Sequence, residues 1–350
     1  MDAETKHADY VLDRASKKLS FLYINPINSV AEKQKCFADP SYNPQFKYRK
    51  IRFSLDLLKR RLKKLKIPTG PYHEVLEMAK KHHLDKISML KNIGTSRFTK
   101  YCMRVYGKPT QSLVRKAKDL IELSVVKDVK KLKSDKYIPM LQRGLEDYGL
   151  KEWKIKQING LGSSAYVNIS DKTVLLRRGQ NFTDNYVKRL IVHEIGSHVL
   201  RAENGALQEL KLFSSGFPNY IATEEGLAVI NEERMGLLDN ATLKKYAGRV
   251  IATNMALECS FSEIYTYLLK FFSRLTAYKI TMRAKRGISD TSQPGGCTKD
   301  HVYLKGYLML KKYFKKGGSI KKLYYGKISL EALNLVEKMP DLVEPRILLK

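Results

Sequence analysis

One hexapeptide constrains the fold more than any other: His193-Glu194-Ile195-Gly196-Ser197-His198, two histidines five residues apart with a glutamate beside the first. Zinc hydrolases commonly carry such histidines four apart on one helix, as H-E-x-x-H. On an ideal α-helix residues i and i+4 differ by about 40° in azimuth, whereas i and i+5 point about 140° apart and cannot share one ion. A helix through this segment can use both histidines together only if it is bulged or overwound between them. A single π-type turn absorbs one extra residue and returns both side chains to one face. Gly196 suits such a turn: glycine costs about 1 kcal/mol relative to alanine in a regular helix interior but tolerates irregular backbone. The plainer reading is a straight helix in which His193 is a satisfied core residue. The spacing alone does not choose between the two.

A catalytic zinc takes three protein side chains and keeps one position open. The segment ATEEGLAVINEERMG begins at Ala222, 24 residues past His198, and sets Glu224, Glu225, Glu232 and Glu233 in an otherwise apolar run. Glu225 shares a helical face with Val229, which turns it inward, where a carboxylate needs a partner or a metal. Glu232 and Glu233 fit supporting or surface roles. Taken singly, each glutamate reads as part of a solvated helix face, but the distribution of charge weakens that reading. The chain has 65 Lys+Arg against 35 Asp+Glu, a net charge of +30, yet residues 191–235 hold seven glutamates and three Lys/Arg. Residues 47–66 carry ten basic residues and one acid, and residues 299–327 nine lysines and one aspartate. An acidic, histidine-bearing centre thus lies within a strongly basic chain. Such a field attracts polyanions, whether nucleic acid, a membrane surface or an acidic polypeptide.

No apolar run reaches the roughly 18 residues of a membrane span, and the polar start MDAETKHADY lacks the pattern of a signal peptide. Cys36, Cys102, Cys259 and Cys297 are scattered without a C-x-x-C pair, the pattern of free thiols in a reducing compartment. These features predict a cytoplasmic globular protein. Residues 1–150 predict a helical region: HADYVLDRASKKLSFL is stopped by NPIN, SLDLLKRRLKKLKIPTGP is a basic amphipathic helix ended by Pro68 and Gly70, and helical patterns continue to Gly149. The texture then alternates. EWKIKQI, SAYVNIS and KTVLLRRG predict a small antiparallel sheet with KTVLLRRG at its edge, running into the motif helix, which Thr183 or Asp184 caps and Gly205 ends. The expected class is α+β, mostly helical, with the sheet preceding the metal-binding helix. Residues 1–150 would form a helical N-terminal region and residues 151–350 a core, packed as one unit.

Taken in order, HEIGSH, RAENG and TEEGLAVINE resemble the QEGLA-motif family of zinc peptidases. Blocks across nearly the whole chain, INPIN, LDLLKRRLKKLKIP, GTSRFTKYCMRVYG and RGISDTSQPGGCTKDHVYLKG, resemble its recurrent segments as well. The resemblance implies a gluzincin-like architecture, zinc on His193, His198 and Glu225, and Glu194 as general base. Its vertebrate members are microtubule-associated tyrosine carboxypeptidases, which remove the terminal tyrosine of tubulin. One departure stands out: Glu224 occupies the place of the motif's glutamine, so either of two adjacent glutamates is available as third ligand, with Glu225 preferred.

The chemistry follows from the residues themselves. Zinc lowers the pKa of bound water towards ~7, and a glutamate beside a ligand can take that water's proton and pass it to the leaving amine. The oxyanion needs a second donor, for which Tyr303 and His301 are candidates, although Tyr303 also reads as a core aromatic. A carboxypeptidase further needs a cation for the terminal carboxylate, and Arg177, Arg178, Arg286 and Lys299 are candidates, each equally readable as a surface charge. KTVLLRRG, as an edge, would pair with an extended peptide. The expected function is therefore a zinc carboxypeptidase acting on a polypeptide, with an acidic C-terminal tail as the suited partner. The rival from another class is a basic nucleic-acid-binding protein with a structural or vestigial metal site. No nucleic-acid motif is present, and aromatics interleaved with the basic residues are few, chiefly Tyr324 and Tyr325. A metal-bound regulator without turnover is a third reading.

Overall fold

The computed structural model describes residues 1–125, 131–159, 161 and 163–350. The protein is mostly helical with a small mixed sheet, an α+β architecture. By contact the chain divides into two units, each assembled from separated segments. One comprises Met1, Val125–Asp239 and Gly306–Lys350, and the other Asp2–Ser124 and Asn240–Lys305. The change of texture expected at residue 151 marks the approach to the strand Lys154–Ile158. The units are drawn differently, because residues 240–305 join the N-terminal helices.

The unit containing Asp2–Ser124 is helical. Its first helix, Ala3–Lys18, is capped by Asp2, whose carboxylate accepts the Thr5 N–H at 2.8 Å. The basic helix Leu55–Lys64 buries only Leu55 and Leu62 and leaves Arg60, Arg61, Lys63 and Lys64 exposed. Asn240–Ala256 packs on Gln111–Ile121 and on Arg274–Lys285, burying Val250 and Ile251. All four cysteines are free; Cys36, Cys102 and Cys297 are buried here and Cys259 is half-buried.

The other unit holds the sheet. Its strands are β1 (Lys131–Leu132), β2 (Lys154–Ile158), β3 (Ala165–Asn168), β4 (Thr173–Arg177) and β5 (Phe182–Thr183). The three-stranded sheet has the order β2-β4-β3, with β4 antiparallel to β3 and parallel to β2. It is thus mixed where the alternation predicted an antiparallel sheet, and KTVLLRRG supplies its central strand rather than its edge. The apolar content of β4 accounts for this: Val174 and Leu176 are fully buried, and the centre is where a strand is covered on both sides. The outer strands are more exposed, and β3 lies against the motif helix. β5 pairs with β1 and leads into that helix, where the Thr183 hydroxyl accepts the Tyr186 N–H at 3.2 Å. The helix runs through Gly205 to Ala206 instead of ending at the glycine. Gly205 serves close packing: a Cβ there would overlap the Phe213 carbonyl. Among the described residues no helix is long and apolar enough to cross a membrane.

Candidate metal centre

The motif helix changes pitch at the histidines. Asp184–Leu190 is α-helical, Ile191–Val199 is π-helical, and Leu200–Ala206 is α-helical again. The i→i+5 ladder is visible in the bond from the Leu200 N–H to the Ile195 carbonyl, and the Ser197 hydroxyl donates to the Val192 carbonyl at 3.2 Å. This is the local distortion that the five-residue spacing demands. It brings the His193 and His198 rings to a centroid separation of 4.9 Å at 85°.

A π-turn leaves backbone groups without their usual helical partners, and buried side chains satisfy them here. Tyr324 donates its hydroxyl to the Gly196 carbonyl at 2.7 Å. Asn231 donates to both the Ser197 hydroxyl (2.8 Å) and the Tyr324 hydroxyl (2.9 Å), tying the bulge to the helix Tyr220–Arg234. The outer side of the bulge is closed by Leu349, whose Cδ1 lies 2.6 Å from where a Gly196 Cβ would sit. The helix Tyr220–Arg234 is itself drawn against Val302–Lys315 at Gly226 and Gly306, where a Cβ on either residue would overlap the other helix's backbone. That close crossing sits next to Glu225.

His193, His198 and Glu225 offer donor atoms that all lie within 4.8 Å of one another. Glu225 Oε2 is 3.5 Å from His193 Nε2 and 3.8 Å from His198 Nε2. Donors around a tetrahedral zinc stand about 3.3 Å apart, given metal–ligand bonds of about 2.0–2.1 Å, so the three side chains fit such an ion with small adjustments. The opposite ring nitrogens are both held by carboxylates: His193 Nδ1 meets Glu232 Oε1 at 2.6 Å and His198 Nδ1 meets Glu224 Oε1 at 2.9 Å. A carboxylate on Nδ1 fixes the ring and keeps the proton there, leaving Nε2 as the donor to a metal. Burial opposes a charge on His193, but hydrogen bonds to Glu225 and Glu232 override it, so without a metal the ring holds its proton well above the usual histidine range. Burial likewise opposes ionisation of Glu224, yet Lys327 and Arg201 hold its carboxyl well below the usual range. Glu194 is half-buried, and its charge acts on His193.

The other expected residues are placed as follows. Arg177 ends β4, half-buried, with an Nε that has no hydrogen-bond partner among the described residues. Arg178 is exposed. Arg286, Lys299, His301 and Tyr303 belong to the other unit. There the Arg286 guanidinium is engaged by Asp300 (3.0 Å) and Asn25 (3.1 Å), and Lys299 lies 5.0 Å from the Phe21 ring centroid. His301 is buried with Nδ1 on the Thr298 carbonyl. Tyr303 stacks on Tyr246 at 5.2 Å under the Arg249 guanidinium. Tyr324 and Tyr325, expected as stacking aromatics in a nucleic-acid reading, are buried, with their hydroxyls on Gly196 and Glu344. Residues whose support of the histidines sequence reasoning did not foresee are Asn231, Tyr324, Arg201 and Lys327. The one available signal was a run of polar residues in otherwise buried segments.

Fold and site together define an α+β protein with a His–His–carboxylate cluster, built on a π-bulged helix, that could hold one metal ion. A profile of the microtubule-associated tyrosine carboxypeptidase family matches residues 35–345, and the chain belongs to that family. Microtubule-associated tyrosine carboxypeptidase 1 of Mus musculus is 32% identical over 133 residues, covering 36% of this chain and 27% of the relative. The Homo sapiens protein of the same name is 31% identical over 133 residues, with the same coverage, 36% and 27%. These matches span about a quarter of the relatives' length.

Proposed function

We propose that this protein is a zinc-dependent carboxypeptidase that removes a C-terminal residue, tyrosine by the names of its relatives, from a polypeptide. The observation that carries the reading is the convergence of His193 and His198 Nε2 on Glu225 across a π-helical turn. A bulge of this kind is a local cost, and it makes sense if both rings must face one ion.

Zinc held by these three side chains would supply the Lewis acidity that makes water a nucleophile near neutral pH. Glu194, next to His193 in sequence, is the base that takes the proton of the attacking water and returns it to the leaving amine. Glu232 and Glu224 keep the two imidazoles in the tautomer that presents Nε2. The outer strand β3, which lies against the motif helix, replaces β4 as the edge available to an extended peptide. Of the four cations expected to hold a terminal carboxylate, Arg177 and Arg178 belong to the unit that holds the histidines and are favoured, whereas Arg286 spends its fork on Asp300 and Asn25. The basic surface suits an acidic polypeptide, with the tubulin tail implied by the family resemblance as first candidate.

The test is mass spectrometry of peptides with varied C-termini, incubated with the zinc-supplemented wild type and with Glu194→Gln. Wild type should shorten peptides by one residue, with tyrosine preferred, and Glu194→Gln should leave them intact while keeping its metal. Intact peptides throughout the wild-type reaction would refute the reading.

A further inference from the structure

Resting on the metal reading above, we infer that Lys327 is a positioning residue that acts through Glu224 to set the orientation and tautomer of His198. Three charged side chains are buried together at this point. Arg201 is wholly inaccessible, and Glu224 and Lys327 are each 4% exposed. The two carboxylate oxygens of Glu224 have separate tasks. Oε2 accepts from Arg201 Nη1, while Oε1 accepts from both Lys327 Nζ and His198 Nδ1.

Arg201 is secured without Glu224, because its Nε donates to the Leu323 carbonyl and its Nη2 to the Ile328 carbonyl, both at 2.8 Å. Its remaining donor therefore points at a fixed place and requires an acceptor there. His198 requires an acceptor on the other side if Nε2 is to stay free for a metal. Only a carboxylate presents an acceptor in both directions, since a glutamine would turn an N–H₂ group towards one of the two. Lys327 pins the oxygen that His198 uses. Its backbone is clamped, with its N–H on the Phe213 carbonyl and its carbonyl accepting the Phe217 N–H at 2.9 Å, and its ammonium lies 5.9 Å from the Tyr220 ring centroid. The partner on the other histidine is held more loosely: among the described residues Glu232 Oε2 has no hydrogen-bond partner, and Arg189 Nε lies 3.7 Å from it.

Two effects of removing Lys327 have opposite signs. By Coulomb's law alone, deleting a buried cation close to a dication tightens metal binding. If Lys327 positions His198 through Glu224, deleting it loosens binding by about 10–100-fold, the usual cost of losing an outer-shell partner.

The experiment compares wild type, Lys327→Met and Glu224→Gln. Zinc affinity is read by competition with a chromophoric chelator, and the His198 tautomer is read in metal-free protein from the ¹⁵N shifts of histidine-labelled samples. Lys327→Met should weaken zinc at least tenfold and lose the population with its proton on Nδ1, and Glu224→Gln should do both more strongly. Zinc binding that is unchanged or tighter in Lys327→Met, with the tautomer unmoved, overturns the inference. The tautomer readout needs no metal, so a wild type that takes no zinc counts against the reading of the site, while a shift of the His198 tautomer in Lys327→Met still supports the role of Lys327. If Glu224→Gln does not fold, Lys327→Met with Lys327→Arg as the charge-keeping control carries the test: the arginine variant should retain more affinity than the methionine variant, and equal losses would contradict the inference.

Discussion

The hydroxyl of Tyr324 meets the carbonyl of Gly196 at 2.7 Å, joining a residue near the end of the chain to the middle of the π-helical turn. The same hydroxyl receives the Asn231 amide, so one phenol braces both helices that carry the candidate ligands. Tyr324→Phe removes that brace without changing the packed ring. A buried carbonyl and amide left unsatisfied cost about 1–3 kcal/mol. Chemical denaturation should show a loss of that order, accompanied by weaker zinc binding. A variant as stable as wild type with full metal affinity would show that the bulge does not depend on this bond.

Two glycines near the site should respond differently to alanine. At Gly196 the one close approach of the added carbon is to the Cδ1 of Leu349, the far end of a flexible side chain, with the Ile191 carbonyl at an ordinary 3.7 Å, and alanine is the better helix former by about 1 kcal/mol. Gly196→Ala should therefore change stability little. At Gly226 the added carbon runs into the Gly306 backbone, which cannot step aside. Gly226→Ala should cost about 1–3 kcal/mol or more by overpacking and should displace Glu225, lowering zinc affinity. Thermal melts with zinc titrations of both variants check this, and equal effects at the two positions would contradict the packing described.

The proton on His193 makes metal uptake pH-dependent. Its folded-state pKa is raised, burial being overridden by Glu225 and Glu232. In metal-free protein the group therefore contributes stability that is fully present below the unfolded value of about 6.5 and is lost as pH rises through the folded value. Zinc has to displace this proton, so affinity should rise with pH and binding should release about one proton from the site. Calorimetry in two buffers of different ionisation enthalpy reads that number directly. A binding heat independent of buffer would mean that His193 is already neutral.

How much of this was legible in the sequence follows from the range of each interaction. The bulge was legible only jointly with the glutamates downstream, because a regular helix keeps histidines five residues apart from sharing one ion, and Ile191–Val199 is π-helical. Glu225 was legible from its inward face on an apolar segment, and it stands beside both histidines. The order of the sheet was not, because alternation reports which residues face inward but not which strand lies in the middle. The burial of Val174 and Leu176 decides that. The brackets around the histidines were hidden for another reason. Lys327 and Tyr324 reach Glu224 and Gly196 across 103 and 128 residues, and no local periodicity encodes such contacts. Tyr303, Arg286 and Lys299 were selected by their neighbourhood in sequence, and the chain places them in the unit that does not hold the histidines.

The central claim is that the bulged helix exists to hold a metal on His193, His198 and Glu225. Elemental analysis of purified protein after zinc loading and removal of excess metal tests it most directly. The account predicts about one zinc per chain for wild type and for Glu194→Gln, and none for His198→Ala. A wild-type protein that stays metal-free with zinc in excess, or a His198→Ala variant that retains it, would contradict the account.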